Sequence, residues 1–275
     1  MLDVLPWLSI EIGIDPVAFE LGPITINWYG IGYVFAIAFG LFFAVRYARE
    51  RGLDPDLVWD VAPWAILAGL AGGRLYYVAQ NDPLDHLRDP GSILAVWDGG
   101  MAFFGAIMAV AATVLFFSWF RNQSLGPMID VAALFALMGQ PIGRIGNIIN
   151  GDVIGPATDL PWGFVYTHPD SFAPDMVTAY HPAGLYALVM GVALIAILYP
   201  LRNKFAYGWF FHAYLAAYCV SQLIVFMWRS EPVVALGLQQ AQVTALVILA
   251  IQAVVLTYLW RQGSRPWINA EAAPA

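Results

Sequence analysis

The densest group of polar side chains in an apolar part of the sequence lies between Gly143 and Gly155 (GRIGNIINGDVIG). Arg144 and Asn147 are three residues apart, so on a helix they share one face. The glycines at 143 and 146 leave room beside that face for a second helix or a ligand. A guanidinium group is planar and presents paired donors, which suit a phosphate or a carboxylate. The stretch therefore predicts a site for an anionic lipid headgroup, with an arginine that only anchors its helix at the membrane interface as the alternative.

An apolar run over 131–142 precedes this stretch, and the composition of the chain indicates that such runs cross a membrane. The 275 residues are 60% hydrophobic and 11% charged, and the mean hydropathy is +0.68. Soluble domains carry about 25% charged residues. The runs have the length of helices rather than of barrel strands. We therefore predict an all-α, polytopic integral membrane protein that forms a single membrane domain over 1–275.

Seven segments have the length and apolar character needed to cross a bilayer. Their direction follows from Lys and Arg, which are in excess in cytoplasmic loops. With the N-terminus outside, eight of the twelve Lys and Arg residues fall inside and three fall outside, while Arg74 lies within a span. We predict that the N-terminus is outside, the C-terminus is inside, and the segment 148–181 forms a small extracytoplasmic lid. The predicted spans are 24–48, 57–80, 101–120, 127–147, 182–200, 206–228 and 239–261.

Other polar side chains lie at the ends of these spans, and each has a simple structural interpretation beside a functional one. Arg74 follows two glycines and either contacts substrate or pairs with an acid such as Asp98. Arg229 lies two residues before Glu231, which would be its nearest partner. Tyr29 enters the first span, where a tyrosine commonly anchors a helix at the interface.

Several classes of function receive no support from the sequence. The single cysteine, Cys219, lies in an apolar run, which favours a small buried residue over a nucleophile and leaves no disulfide within the chain. The chain has no Walker loop, dinucleotide fingerprint or HExxH motif. We expect no cofactor, no metal and no nucleic-acid partner.

The stretch from Gly143 to Gly155 resembles the signature of the bacterial prolipoprotein diacylglyceryl transferases, G-R-x-G-N-F-x-N-G-x-x-x-G. This chain departs from that pattern at Ile148, where the family has phenylalanine. Other blocks that resemble the family occur in the same order along nearly the whole chain. They are Trp28-Tyr29-Gly30, the Gly-Arg-Leu-x-Tyr block at Arg74, the Gly-Gly-Met block at Gly99, Pro161-Trp162-Gly163, and His181-Pro182 with Leu185-Tyr186.

The resemblance implies an enzyme of the bacterial cytoplasmic (inner) membrane. Such an enzyme moves a diacylglyceryl group from phosphatidylglycerol to the lipobox cysteine thiol in the signal peptide of a preprolipoprotein and releases glycerol phosphate. Its partners are therefore membrane lipid and that signal peptide, and the substrate supplies the nucleophile. By resemblance, catalytic roles fall on Arg144, Asn147, Tyr29 and Tyr218, and substrate binding falls on Arg144, Gly155, Arg229, Arg74 and Asn150.

Three departures from the family pattern remove polarity from the expected site. Phe104 stands where the family has histidine or tyrosine, Gln222 where it usually has a second arginine, and Phe226 where glutamate is usual. Ala183-Gly184 also replaces Ser-Gln, and Ala187 replaces a glutamate. The leading hypothesis is a transferase, and the alternatives are a paralogue that binds anionic lipid or lipoprotein precursors without catalysis, and a transporter. Against the transporter, the sequence shows no paired inverted repeats.

Overall fold

The computed structural model describes residues 9–22, 24–81, 86, 88–94 and 100–267. These residues are mainly helical, with two short 3₁₀ helices at Tyr199–Lys204 and Phe226–Trp228. The α-helices among them are α1 (Trp28–Glu50), α2 (Asp56–Gln80), α3 (Pro90–Leu94), α4 (Phe103–Phe120), α5 (Leu125–Asn150), α6 (Ala183–Leu198), α7 (Trp209–Val225) and α8 (Gln240–Arg261).

Five helical segments of the described chain are long and apolar enough to cross a membrane: Trp28–Glu50, Leu125–Asn150, Ala183–Lys204, Trp209–Trp228 and Gln240–Arg261. Helices also occupy the predicted spans 57–80 and 101–120. The apolar part of α4, Phe104–Phe120, is shorter than the others, and α2 carries Asp56, Asp60 and Arg74. The prediction of a mainly helical membrane protein is therefore confirmed, whereas the count of seven spans stays a prediction.

The first helix begins later than the predicted span 24–48. Residues Ile24–Asn27 form a strand, β3, that pairs antiparallel with β2 (Val17–Leu21). The Trp28 backbone N–H then donates to the Pro16 carbonyl at 3.0 Å, where helix α1 begins. Apolar residues at 24 and 26 continue the hydrophobic run of α1, but their backbone groups bond across the hairpin instead of along a helix.

The described chain divides into two compact units, one from Ala44 to Ala132 and the other formed by the residues before and after that segment. In the 44–132 unit, α2 and α4 approach closely at two glycines, because a Cβ atom on Gly105 would overlap the Gly72 carbonyl. Arg121 also forms an ion pair with Asp60 in this unit. Backbone contact at small residues is typical of helices that pack in a membrane.

A buried ion pair joins the end of α1 to the start of α5 within the same unit. Arg51 Nη2 lies 3.3 Å from Asp130 Oδ2, and both side chains are almost fully excluded from solvent. Arg51 Nε also donates to the Tyr47 hydroxyl at 2.8 Å. A buried charge is stable only when it is paired in this way, so the pair fixes one arrangement of the two helix ends.

The other unit is built around α5, against which α1 and α6 pack at glycines. A Cβ atom on Gly139 would lie 2.8 Å from the Ala36 carbonyl oxygen of α1. A Cβ atom on Gly191 of α6 would lie 2.7 Å from Pro141 Cγ of α5. Helix α6 also contacts α7, and α7 contacts α8. Helix α5 therefore has neighbours on several sides, which suits a helix that carries the signature.

Short strands complete this unit at the ends of the helices. Strand β1 (Ile10–Ile12) pairs in parallel with β4 (Phe164–Tyr166), with Ile10 opposite Phe164. A hairpin of β5 (Val233–Ala235) and β6 (Leu238–Gln239) connects α7 to α8. The segment between α5 and α6, which contains β4, is thus tied to the residues that precede α1.

Candidate active site

The polar residues of the signature form a hydrogen-bonded chain at the end of α5. Arg144 Nη1 donates to Asn147 Oδ1 at 3.3 Å, and Asn147 Nδ2 donates to both carboxylate oxygens of Asp152, each at 3.2 Å. Helix α5 ends at Asn150, and Gly151 follows with a φ of 74°. This left-handed turn, which glycine adopts without strain, brings Asp152 back towards Asn147. We call Arg144, Asn147 and Asp152 the polar relay.

The carboxyl group of Asp152 has a raised pKa. The cause is mainly desolvation by the surrounding protein, which disfavours the charged form. The hydrogen bond from Asn147 and the positive charges of Arg229 and Arg144 act in the opposite direction and favour the carboxylate. Asp152 is therefore a carboxyl group whose charge depends on these two arginines.

Tyr29 lies against the polar relay because α1 crosses α5 at a glycine. A Cβ atom on Gly146 would come within 3.0 Å of Tyr29 Cα, so the crossing at this point requires glycine. The Tyr29 hydroxyl donates to the Tyr33 hydroxyl at 2.9 Å and interacts electrostatically with Asp152 and Arg144. The structure thus places Tyr29 beside Gly146, which lies between Arg144 and Asn147 in the sequence, and its catalytic role stays a prediction.

Tyr218 reaches the same site from α7. Its ring stacks on that of Tyr214, with 6.1 Å between the centroids, and its hydroxyl interacts with Gln140 and Arg144. The Tyr214 hydroxyl is also 3.4 Å from Gln140 Oε1. Gln140 precedes Arg144 by four residues, so both side chains point from the same face of α5. Tyr218 therefore reaches Arg144, and Tyr214 supports Tyr218 from the same helix.

Gln222 follows Tyr218 by one helical turn, at the position where the resemblance implied an arginine. Its Nε2 atom is 3.4 Å from Ser221 Oγ, and the Ser221 hydroxyl donates to the Tyr218 carbonyl at 2.7 Å. The Gln222 amide thus bonds within its own helix and brings no charge. Cys219 is buried, as predicted.

Arg229 lies at the start of the loop after α7 and has three kinds of neighbour. Its Nη2 atom donates to Glu231, which confirms the predicted pair, and its guanidinium lies over the Phe226 ring at 4.8 Å from the centroid. The Arg229 carbonyl accepts from Gln239 Nε2 at 2.7 Å. Its Nε atom is buried and has no hydrogen-bond partner among the described residues.

Gly155, at the end of the signature, is required by the packing of two loops. A Cβ atom there would overlap the carbonyl oxygen of Trp228 and come 2.8 Å from His181 Cβ. The Gly155 N–H donates to the His181 carbonyl at 2.8 Å. Gly155 therefore lets the backbone just before Arg229 lie directly against the signature.

Asn150, the last residue of α5, contributes to the same region through its backbone and its amide. Its carbonyl accepts from the Phe172 N–H at 2.9 Å. Its Oδ1 atom is buried without a hydrogen-bond partner among the described residues. A buried acceptor of this kind is uncommon and marks a place where a ligand or a water donor would be stabilised.

A cavity of about 320 Å³ adjoins the polar relay on the loop side. We call it the loop cavity, and its charged lining residues are Asp152, Arg229 and Glu231. The rest of its wall comes from the segment between α5 and α6, with one residue from the loop after α7. These residues are Gly151, Ile154, Gly155, Pro156, Ala157, Phe172, Pro174 and Tyr180, and Ser230 from the loop after α7.

The segment between α5 and α6 is held by its own polar contacts. The Tyr166 hydroxyl donates to the Ile148 carbonyl at 3.0 Å, and Asp175 accepts from the N–H groups of Val177 and Thr178 and from the Tyr180 hydroxyl. These bonds hold the pKa of Asp175 well below its usual range. The segment is thus an ordered structure, although its predicted role as a lid stays a prediction.

Two of the departures from the family pattern are in contact with each other. A Cβ atom on Gly184 at the start of α6 would lie 3.2 Å from Ile148 Cγ1 of α5. The Gly184 N–H also donates to the Val153 carbonyl at 2.9 Å. The space beside Ile148 is therefore filled by close approach of α6, which leaves no room for a longer side chain at 184 without a shift of one helix.

Arg74 and Phe104 belong to the 44–132 unit. Arg74 is buried and donates to the carbonyls of Ile93, Ser92 and Gly100 at 3.1, 2.5 and 3.0 Å, and its guanidinium lies 5.5 Å from the Tyr77 ring centroid. These bonds hold the segment between α2 and α4. Its predicted contact with substrate stays a prediction, and its alternative partner Asp98 lies outside the described residues.

Asp152, Gln140 and Tyr214 are site residues that the sequence did not single out. Gln140 could have been found from its spacing, because 140, 144 and 147 lie on one helical face. Asp152 occupies a variable position of the signature, and only the turn at Gly151 brings it to Asn147. A separate exposed group, Asp15, His168 and Asp170, has ligand-type atoms within 4.8 Å of one another, and its 3.8 and 3.9 Å contacts are ordinary ion-pair distances.

Comparisons of the sequence with a family model and with individual proteins match the same family over most of the chain. A family model described as "Prolipoprotein diacylglyceryl transferase" matches residues 16–258. A protein from Rhodospirillum centenum is 34% identical over 255 residues, which are 90% of each chain. One from Nostoc sp. is 31% identical over 265 residues, 93% of each chain. Both relatives are named phosphatidylglycerol–prolipoprotein diacylglyceryl transferase.

Proposed function

The chain belongs to the prolipoprotein diacylglyceryl transferase family, and on that premise we propose how its residues carry out the transfer. The protein is a membrane transferase that moves a diacylglyceryl group from phosphatidylglycerol to the lipobox cysteine thiol of a preprolipoprotein. The observation that supports this site assignment is the polar relay, in which Arg144 is oriented by Asn147 and flanked by Tyr29 and Tyr218.

The reaction exchanges one bond for another at the glyceryl carbon that carries the phosphate. The cysteine thiol loses its proton to water, and the thiolate forms a C–S bond with that carbon. The C–O bond to phosphate breaks, and glycerol phosphate leaves with the electron pair. Negative charge therefore grows on a phosphate oxygen, and preorganised positive charge near that oxygen is what accelerates the step.

Arg144 supplies that charge in our proposal. Its guanidinium keeps donors for the phosphate oxygens while one N–H bonds to Asn147. Asn147 and Asp152 hold its orientation, and Tyr29 and Tyr218 line the space where the glyceryl group binds. Arg229 and Arg144 influence each other electrostatically, and we propose that both act on one phosphate group.

The remaining predicted substrate contacts have smaller roles in the proposal. Gly155 keeps the Arg229 loop close to the relay, and the unpartnered Oδ1 of Asn150 accepts from a lipid hydroxyl. Arg74 supports its loop through three carbonyls, and its contact with substrate is proposed from the resemblance alone.

Three departures from the family pattern affect the rate of the transfer and not the type of reaction, namely Phe104, Gln222 and Phe226. A phenyl ring cannot take the thiol proton, so ionisation depends on the intrinsic thiol pKa of about 8.5. A few per cent of the thiol is ionised at neutral pH, which is enough for slow transfer. The Phe226 ring holds the Arg229 guanidinium by a cation–π contact in place of a second ion pair.

The site requires a particular topology. We propose seven spans, with α2 and α4 added to the five apolar segments, the N-terminus outside and the C-terminus inside the bacterial inner membrane. The segment 148–181 then lies outside as a lid, and 1–275 acts as one membrane domain. The precursor's lipobox cysteine reaches the site from the outer leaflet.

A second candidate is a paralogue that binds anionic lipid or lipoprotein precursors without catalysis. The observation in its favour is that Gln222 bonds to Ser221 and Phe226 covers the Arg229 guanidinium, so neither adds a reacting group. The two candidates separate in an assay of purified protein, phosphatidylglycerol and a lipobox peptide. The transferase adds the mass of a diacylglyceryl group to the peptide, whereas the binder retains the lipid and leaves the peptide unmodified.

A further inference from the structure

The loop cavity brings together charged residues that the transfer step uses only in part. One cation, Arg229, and two acids, Asp152 and Glu231, line a space of about 320 Å³. Cavities that bind small ligands have volumes of about 300 to 1,000 Å³, so this one suits a small polar molecule rather than a lipid tail. Its wall is formed by loops, which places the cavity on the solvent side of the relay.

Arg229 has an unused donor in this region. Glu231 and the Phe226 ring account for its Nη2 atom and one face of the guanidinium, whereas Nε is buried and has no partner among the described residues. A buried N–H without an acceptor is destabilising, so Arg229 would gain from a small shift of its side chain that brings Nε to the oxygen of a bound anion. Arginine binds phosphate through exactly this kind of multiple donation, which indicates an anionic ligand.

The two acids define the rest of the ligand. A carboxylate accepts hydrogen bonds and repels a second anion, so Asp152 and Glu231 favour hydroxyl groups next to the phosphate that Arg229 binds. A small molecule with one phosphate and neighbouring hydroxyls fits this pattern. Glycerol phosphate, the leaving group of the proposed reaction, has one phosphate and two free hydroxyls.

We propose that the loop cavity is an exit subsite that receives glycerol phosphate after the C–O bond breaks; this inference rests on the proposed function. Asp152 belongs to both the cavity and the polar relay, so the cavity adjoins the point at which the phosphate is released. The charged product leaves Arg144 for Arg229 along this wall. The two carboxylates outnumber the one cation of the cavity and repel the anionic product, so the product is held weakly and dissociates.

Direct binding tests the proposal without turnover. The full-length protein is placed in nanodiscs of phosphatidylcholine, which contain no phosphatidylglycerol, and titrated calorimetrically with glycerol phosphate, inorganic phosphate or glycerol. We expect glycerol phosphate to bind about tenfold more tightly than either fragment, because only it uses the cation and the carboxylates together. Equal affinities for glycerol phosphate and inorganic phosphate would overturn the subsite.

Two pairs of variants locate the binding. Ala157→Trp fills the cavity from a wall residue that takes no part in the relay, and Ala235→Trp makes the same change on the exposed β5 strand. Arg229→Gln removes the cation, and Arg261→Gln removes one at the far end of α8. We expect about a tenfold or greater loss of affinity for the first member of each pair and no change for the second. Equal affinities within both pairs would place the ligand elsewhere.

The same preparations separate this inference from the proposed function. Transfer to the lipobox peptide without binding of glycerol phosphate would overturn the exit subsite and leave the transferase intact. Binding of glycerol phosphate without transfer would support the subsite and count against the transferase. If a peptide that matches the precursor downstream of the cysteine displaces glycerol phosphate and binds more tightly, the cavity is a peptide site and the proposal is wrong.

Discussion

The side-chain amide of Asn147 donates to both carboxylate oxygens of Asp152 while its carbonyl accepts from Arg144. One amide thus orients a cation and an acid together, whereas a residue with only donors or only acceptors could make one of these contacts but not both. The direction in which the Arg144 guanidinium points therefore depends on Asp152, eight residues further along the chain, after a turn that only becomes visible in the structure.

Protonation of Asp152 should limit lipid binding at low pH. Its pKa is raised above the ordinary value of 3.8, so the carboxylate becomes neutral at a higher pH than an exposed aspartate does. We expect phosphatidylglycerol binding to fall as the pH drops through that raised pKa, because a neutral carboxyl accepts the Asn147 amide less strongly and this loss of orientation outweighs the weaker repulsion of the phosphate. Asp152→Asn should bind more weakly and should show no such decrease at low pH. Lipid binding measured from pH 4 to 8 gives the profile.

Thermal stability provides the control for that variant. The folded state holds the Asp152 proton more tightly than the unfolded chain does, so ionisation lowers stability as the pH rises through the raised pKa. Asp152→Asn carries no charge, and we expect it not to melt earlier than the wild type at pH 7. A lower melting temperature together with weaker binding would mean that Asp152 serves the fold rather than the lipid.

Arg144→Ala should weaken phosphatidylglycerol binding far more than Arg121→Ala. Loss of one partner from a buried, charge-assisted contact typically costs about 2 to 5 kcal/mol, whereas Arg121 forms an exposed ion pair with Asp60. A lipid-binding assay on both variants checks this. Similar affinities for the two variants would remove Arg144 from the site.

Gly155→Ala should disrupt the signature, while Gly143→Ala should be tolerated. A Cβ atom at 155 would overlap the Trp228 carbonyl, whereas a Cβ atom at 143 meets nothing within 4 Å. Overpacking of this kind costs about 1 to 3 kcal/mol. We expect Gly155→Ala to lower both the melting temperature and the affinity for lipid. Gly143→Ala is the matched control, because Gly143 belongs to the same motif, and we expect it to remain close to wild type. Equal effects would contradict the packing argument.

Transfer by the wild type should be slow and should rise with pH towards the thiol pKa. Phe104 stands where the family has histidine or tyrosine, and its ring cannot take the thiol proton, whereas a positioned base usually contributes about 10² to 10⁴-fold. The double variant Phe104→His with Gln222→Arg should therefore be faster and level off at lower pH. Mass analysis of a lipobox peptide gives both rates. If neither protein modifies the peptide while both bind the lipid, the transferase hypothesis fails.

The predicted topology can be tested by cysteine labelling in a Cys219→Ala background. Asp170→Cys lies in the segment predicted to face outside, and Lys204→Cys lies at the end predicted to face inside. A membrane-impermeant reagent should label the first variant in intact cells and the second only after lysis. Labelling of Lys204→Cys alone in intact cells would reverse the orientation.

Sequence patterns located the helices and much of the site because both depend on local features. The apolar runs gave the helices, and the spacing of Arg144 and Asn147 on α5 gave the relay's first two members. The start of α1 at Trp28 was missed, because apolar residues in a hairpin strand look like the continuation of a helix. Asp152 was missed because its contact depends on the left-handed turn at Gly151.

Longer-range relationships were outside the reach of such patterns. Tyr29 of α1 and Gly146 of α5 are far apart in the chain but meet where the two helices cross. The sequence pattern indicated only that a glycine at 146 leaves room for some helix or ligand. The partners of Arg74 are likewise backbone carbonyls, which every residue has, so no residue type in the sequence marks them. The sequence shows which side chains can form polar contacts, whereas the fold determines whether such a side chain binds a ligand or the protein's own backbone.

The parallel pairing of Ile10 with Phe164 has a consequence for how the protein is made. Its two strands are separated by about 150 residues, and a ribosome adds roughly 5 to 20 residues per second. The first strand therefore waits roughly 8 to 30 seconds for its partner, while the helices between the two strands are synthesised. Closing so long a loop costs only slightly more entropy than closing a loop of half that length. The pairing of β1 with β4 is consequently completed late in biosynthesis, after helix α5, which carries the signature, has been synthesised.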